Sequence, residues 1–218
     1  MSKKIFIFLL SIIPVFGLIS CSETDDTVSE FDDWQNRNET YFNDIYTKAI
    51  ADPTDQLDTI RKFSLNPYAS ATQGDFIVVQ KIENSESTSG SPQFTDEVKI
   101  SYRGRYIPTT NYKDGYVFDQ TYQGDFNWES VHTIETTFSS FVTGFSTALQ
   151  KMRIGDRWRV YIPYQLGYGE SGSDAILGYS TLIFDISLHA FKRPDAGSVN
   201  TRAIADDSDT PRGVWITK

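Results

Sequence analysis

The sequence predicts an α+β fold with one short internal helix, several strands and a further helix near the N-terminus. The first sign is a change of period within one stretch. Phe141, Val142, Phe145, Ala148, Leu149 and Met152 recur every three or four residues, as one face of a short helix. Beyond Ile154-Gly155-Asp156, Trp158, Val160 and Ile162 alternate with Arg157, Arg159 and Tyr161, which is the period of a strand. The second sign is alternation elsewhere, in Val98, Ile100 and Tyr102 and again in Leu182, Phe184, Ile186 and Leu188. The third is helical spacing of Phe31, Trp34, Tyr41, Phe42, Ile45, Tyr46 and Ala49, which predicts an amphipathic helix of about twenty residues.

Taken in order, the chain divides into 1–21, a targeting segment; 22–70, a tether and N-terminal helical extension; 71–192, the main domain; and 193–218, a C-terminal tail. Lys3 and Lys4 open the targeting segment, and Ile5 to Ile19 is an apolar run broken by Pro14 and Gly17, too short for a comfortable membrane span. It ends in Leu18-Ile19-Ser20-Cys21, which resembles a bacterial lipobox. That resemblance implies a lipid on Cys21 and an anchored lipoprotein of the cell envelope, placed at the outer membrane on its periplasmic or surface face. The plainer alternative is a secretory signal with an incidental cysteine. Cys21 is the single cysteine, so no intrachain disulfide can form. The acidic run Ser22-Glu23-Thr24-Asp25-Asp26 is similar to surface-export signals of some lipoproteins.

Residues 22–29 read as a polar tether, and Ser29 is placed to cap the following helix with Asp32 and Asp33 in its first turn. Asp52-Pro53 stops that helix, and Gln56 to Phe63 reads as a further turn or two. This extension could pack onto the main domain, serve as a dimer arm or bind a partner; packing in cis is the plainest of the three. Asp75 to Ile82 is a strand, and the Ser/Gly-rich Asn84 to Pro92 an exposed loop. Ile107 to Gly115 reads as a long hairpin connection before Val117-Phe118 resumes the sheet. Pro163 ends the strand after the short helix, because it has no N–H to give a ladder, and Leu166-Gly167-Tyr168-Gly169 forms an aromatic turn. The tail is expected to be mostly loose, with Val214-Trp215-Ile216 as its one apolar cluster.

The formal charge is −9, and removal of Lys3 and Lys4 with the first segment would leave −11. So acidic a chain argues against nucleic acid and anionic lipid headgroups as partners, which require clustered Lys and Arg. His132 and His189 stand apart from any carboxylate or cysteine cluster, so no metal site is expected. Gly167-Tyr168-Gly169-Glu170-Ser171-Gly172 fits a dinucleotide fingerprint in letters only, since it joins no strand to a helix. Ser139, Ser140 and Ser146 lack the context of a hydrolase nucleophile.

Four blocks in order carry a resemblance to a known family: Val98 to Gly104, Gly115 to Asp119, Phe141 to Gly169, and Ser180 to Ile186. Together they resemble the FK506-binding-protein (FKBP) type of peptidyl-prolyl cis–trans isomerase over roughly residues 95–191. The resemblance implies an antiparallel sheet wrapped around the short helix, and an apolar slot that takes proline. It implies catalytic roles for Tyr168, Asp119, Phe118 and Phe184, and substrate contacts from Tyr102, Phe141, Val142, Phe145 and Ile176. Tyr168 would donate to the carbonyl preceding proline, and Phe145 would form the floor where the family most often has Trp. It also implies proline-containing unfolded or exported polypeptides as partners, macrocycles of the FK506 type as inhibitors, and no cofactor.

This chain departs from the family in two places. Thr121 to Thr137 carries Gln123-Gly124-Asp125-Phe126-Asn127-Trp128 where members have a basic residue. The lid reads Ile176-Leu177-Gly178 where members have a proline pair, which predicts a looser loop. The rival to an isomerase is a catalytically weak binding or chaperone module using the same cleft; a third reading makes the N-terminal helix a dimerisation arm and the domain mainly structural.

Overall fold

A short helix lies across one face of an eight-stranded antiparallel sheet, and a longer helix covers part of the other face. The computed structural model describes residues 30–51, 57–195 and 212–217. The helices are α1 (Trp34–Ala51) and α2 (Thr143–Leu149). The strands are β1 (Leu57–Arg61), β2 (Phe76–Glu83), β3 (Glu97–Arg105), β4 (Val117–Gln120), β5 (Ile134–Thr137), β6 (Arg157–Ile162), β7 (Leu182–Lys192) and β8 (Trp215–Thr217). They run in the order β1-β2-β6-β7-β3-β4, with β5 also on β3 and β8 on β7.

The alternation read in β6 sorts its side chains as expected. Val160 and Ile162 face α2, and a Cβ on Gly144 of that helix would come within 2.3 Å of Ile162 Cγ2. Only glycine lets α2 sit this close to the sheet. Tyr161 points the other way and meets Tyr41 of α1 at 6.5 Å between ring centroids. In β2, Val79 is opposite Val160 and Val78 opposite Tyr161. Cross-strand partners share a face, so β2 is covered by a helix on each side and Ile77, Val78 and Val79 are all fully buried. That explains a continuous apolar run where alternation would otherwise be expected.

Several expectations need correction. The N-terminal helix begins at Trp34, after a turn over residues 30–33, rather than near Ser29, which lies outside the described residues along with Cys21. Asp33 there takes φ of +51°, off the helical path. Residues 57–61 form β1 on the edge of the sheet, not another helical turn; pairing with β2 along its whole length overrides its weak local signal. The tail is not wholly loose, because Trp215, Ile216 and Thr217 pair with Lys192, Phe191 and Ala190 of β7.

The irregular 121–137 stretch folds back over the sheet. Its Tyr122, Phe126 and Trp128 form an edge-to-face row with centroids 5.6 and 5.0 Å apart. Arg103 lies over Tyr122 and Arg157 over Phe126, at 4.6 and 4.3 Å from the ring centres. Trp128 caps His189, which exchanges a hydrogen bond with Ser101 at 2.9 Å. Burial, and to a smaller degree the charge of Lys99, lowers the His189 pKa to about 4. Between this row and α1, Asp185 accepts from Arg159 at 2.7 and 3.1 Å and from Arg105 at 2.5 Å.

Candidate functional site

On the α2 face, five aromatic side chains from four stretches of the sequence converge. Phe145 of α2 stacks on Phe141 with centroids 4.3 Å apart and meets Phe184 of β7 edge-on at 5.0 Å. Phe118 of β4 meets Phe184 edge-on at 5.5 Å. Tyr102 of β3 packs against both Phe145 and Phe184, at 5.7 and 6.0 Å. Strand alternation puts these rings on one face, since Tyr102 pairs with Ile186, two residues along β7 from Phe184. Edge-to-face geometry is the favoured arrangement for such clusters. Phe145 and Phe184 are buried, while Tyr102, Phe118, Phe141 and Val142 are half-buried, so the cluster is open on one side.

Gly104 makes this closure possible. A Cβ there would fall 2.5 Å from Phe184 and 2.7 Å from Phe118, between the two rings. Val142 holds the N-cap position of α2 with extended backbone, which lays it at the start of the helix beside Phe141.

The polar groups lie at the open side. The Tyr102 hydroxyl donates to Asp119 Oδ2 over 2.7 Å. Burial first, and then the hydrogen bond to Asp119, pushes the Tyr102 phenol above its usual range. Asp119 is exposed. Tyr168 is 41% exposed, and partial burial and the charge of Asp119 push its phenol above the usual range. The arginines of β3 serve elsewhere: Arg103 binds Gln120 and the carbonyls of Tyr122 and Gly124, and Arg105 binds Asp185 on the opposite face. The polar partner of Asp119 is thus a tyrosine hydroxyl.

Ile176 is buried within the lid. Its neighbours are fixed by Tyr106, whose hydroxyl accepts the Leu177 N–H at 2.9 Å and donates to the Ala175 carbonyl at 3.3 Å. The ring of Tyr106 rests on Phe118 at 5.2 Å. Further bonds close the lid on itself, from Tyr179 N–H to the Gly169 carbonyl at 3.0 Å and from Ser173 N–H to the Ile176 carbonyl at 2.8 Å. Without the proline pair the lid is held by hydrogen bonds. Tyr106 escaped the sequence reading because it lies just past β3, among polar residues, with no period to mark it.

A second groove runs between α1 and the Tyr164–Leu166 turn, lined by polar side chains such as Asn36, Glu39, Asn43 and Gln165. Phe42 and Tyr164 also line it, but it lacks the converging ring cluster of the first. Among the described residues no group of three His, Cys, Asp or Glu could hold a metal ion.

The aromatic slot, its Tyr102–Asp119 pair and the fold can be set beside known proteins. The family model of the FKBP-type peptidyl-prolyl cis-trans isomerases matches residues 89–189, the stretch that contributes every ring of the slot. This stretch is similar to the FKBP-type isomerases. A "Macrophage infectivity potentiator" of Trypanosoma cruzi is 34% identical over 134 residues, covering 60% of this chain and 60% of that protein. The "Peptidyl-prolyl cis-trans isomerase Mip" of Coxiella burnetii is also 34% identical, over 104 residues, covering 47% of this chain and 40% of its own length. The chain thus spans less than two thirds of either relative. Among solved structures, a peptidyl-prolyl cis-trans isomerase of Pseudomonas syringae superposes with a TM-score of 0.50 at 23% identity, covering 72% of this chain and 95% of that one. That likeness establishes an FKBP-like fold, an antiparallel sheet with its short helix, here preceded by an N-terminal helix.

Proposed function

We propose that the FKBP domain isomerises Xaa-Pro peptide bonds of unfolded or exported polypeptides. The observation that supports this most is the slot itself, with aromatic walls, an open side, and the Tyr102–Asp119 hydrogen bond beside it. The barrier to isomerisation is about 18–20 kcal/mol because twisting the amide breaks its resonance. A planar amide has the more polarised carbonyl, so moving it from water into an aromatic slot costs the ground state more than the twisted state. A difference of that kind lowers the barrier. Phe118 and Phe184 clasp the proline ring, with Tyr102, Phe141, Val142, Phe145 and Ile176 completing the binding surface. Tyr168 donates to the carbonyl before the proline. Asp119, held by Tyr102, sets the field beside the twisting bond. This chemistry calls for no cofactor, and macrocycles of the FK506 type would compete for the same slot.

The deciding experiment is protease-coupled isomerisation of a short Xaa-Pro peptide by residues 22–218, beside a variant with Asp119 and Tyr168 both replaced. Catalysis by the first and its loss in a folded second supports the assignment. A folded but inactive first sample would turn the assignment to a binding module.

For placement in the cell we propose a lipoprotein, with residues 1–21 as its signal, Cys21 lipidated and the outer membrane as its site. What supports this is the charged start, the apolar run and Leu18-Ile19-Ser20-Cys21. Metabolic labelling with a fatty acid, lost on Cys21→Ala together with membrane association, is the expected result. Labelling that survives Cys21→Ala would refute it.

A further inference from the structure

The lid is fastened from outside the family-matched stretch, by α1. Trp34 Nε1–H donates to Ser180 Oγ over 3.0 Å, and Ser180 donates onward to the Leu177 carbonyl over 2.6 Å. One turn further along the helix, fully buried Asn38 accepts the Thr181 N–H at 2.8 Å, and its backbone carbonyl accepts the Thr181 hydroxyl at 3.1 Å. Asn38 Nδ2 returns a bond to the Trp34 carbonyl at 2.7 Å, so the two lid contacts are locked to one another. The Trp34 ring meets Tyr106 edge-on at 5.3 Å, and Tyr106 brackets Ile176 and rests on Phe118 as described. The turn before α1 is tied separately to the β3–β4 connection, where the Glu30 carboxylate accepts from the backbone and side-chain amides of Asn111.

We propose that Trp34 and Tyr106 are positioning residues for the isomerase site, holding Ile176 against the slot so that α1 is part of the catalytic apparatus. A helix that merely covered apolar surface would need no hydrogen bonds aimed at lid backbone and lid hydroxyls. Here the side chains of Trp34, Asn38 and Tyr106 all spend polar atoms on residues 175–181. The proposal rests on the slot being the isomerase site, and its test separates the two.

The experiment compares the full chain with Trp34→Phe and Tyr106→Phe, each of which keeps a ring in place and removes only the polar atom. Amide hydrogen exchange is followed through the lid and, as an internal reference, through β6 and β7. One net hydrogen bond corresponds to about a fivefold change in a local opening equilibrium. Lid amides 176–181 are therefore expected to exchange about fivefold faster in either variant, with β6 and β7 unchanged. In the isomerase assay KM is expected to rise more than kcat falls. Adding Trp34→Phe to Ser180→Ala should cost little more than Ser180→Ala alone, because Ser180→Ala already removes the bond from Trp34 as well as that to the Leu177 carbonyl. Unchanged lid exchange in both variants, or equal acceleration in β6 and β7, would overturn the proposal. Local loosening of the lid in a chain that does not isomerise would leave the fastening intact and overturn the isomerase assignment.

Discussion

Tyr102 and Asp119 are joined by a 2.7 Å hydrogen bond across two strands, and this bond unites the wall of the slot with its mouth. Tyr102 belongs to β3 and Asp119 to β4, strands paired through Arg103 opposite Gln120 and Gly104 opposite Asp119. The phenol cannot ionise near neutral pH in this setting, because burial and the neighbouring carboxylate both disfavour its charged form. It stays a donor. Asp119 therefore remains oriented without any cation. Tyr102→Phe should keep the ring packing and lower kcat/KM by about fivefold, the worth of one net hydrogen bond. Steady-state kinetics on an Xaa-Pro peptide checks this, and an undiminished kcat/KM would separate Asp119 from the reaction.

Phe184 and Tyr168 should behave differently when altered. Phe184 is 6% exposed and touches Tyr102, Phe118 and Phe145, so Phe184→Ala is expected to cost about 3–5 kcal/mol of stability as well as activity. Tyr168→Phe, at a site 41% exposed, should leave the denaturation midpoint in place and weaken catalysis only modestly. Paired denaturation and activity curves distinguish the two. A Phe184→Ala protein with normal stability and full activity would remove this cleft from the mechanism.

Gly104→Ala places a methyl between Phe118 and Phe184. Both rings must part, which is overpacking of a kind that costs about 1–3 kcal/mol. The expected outcome is a lower denaturation midpoint with a raised KM for peptide. A fully stable variant with unaltered KM would mean that the rings do not close over this position.

His189 gives the fold a dependence on pH. Its ordinary pKa is 6.5 and burial under Trp128 lowers the folded value to about 4. Above pH 6.5 the ring is neutral in both states and its buried arrangement contributes in full. As the pH falls from 6.5 towards 4, the unfolded chain takes up the proton more readily, so stability is lost across that window. With partial exposure discounted, the loss is on the order of 2 kcal/mol. Denaturation midpoints of the wild type and His189→Gln, measured between pH 7 and pH 4, should diverge by this margin and in this direction. Parallel curves would mean that His189 titrates equally in both states.

The slot was legible because its rings stand at strand and helix positions with plain periodicity. Tyr102 and Phe184 alternate inward on strands, and Phe145 lies on α2, though Phe141, read as part of the same helical face, precedes the helix with extended backbone. What escaped notice is held by contacts distant in sequence. In β1, Leu57 and Ile60 do not alternate, and only the neighbouring β2 makes that segment a strand. The row of Tyr122, Phe126 and Trp128 has no helical or strand period; Arg103, Arg157 and His189 seat it from afar. Asn38 reads as a solvent-facing polar residue within an amphipathic helix, yet it is fully buried because Thr181 offers it two partners.

The place of β2 in the strand order has a consequence for where the autonomous folding unit begins. The family-matched stretch starts at residue 89, but β2, at 76–83, lies inside the sheet between β1 and β6. A fragment cut to the matched stretch would strip one edge of β6 of its backbone partners and uncover its apolar faces, inviting association with other chains. The smallest piece able to fold by itself therefore has to include β2, and with it the β1 and α1 that shield it. Any truncation to the family-matched stretch alone would otherwise yield an aggregation-prone sheet, whatever its sequence coverage suggests.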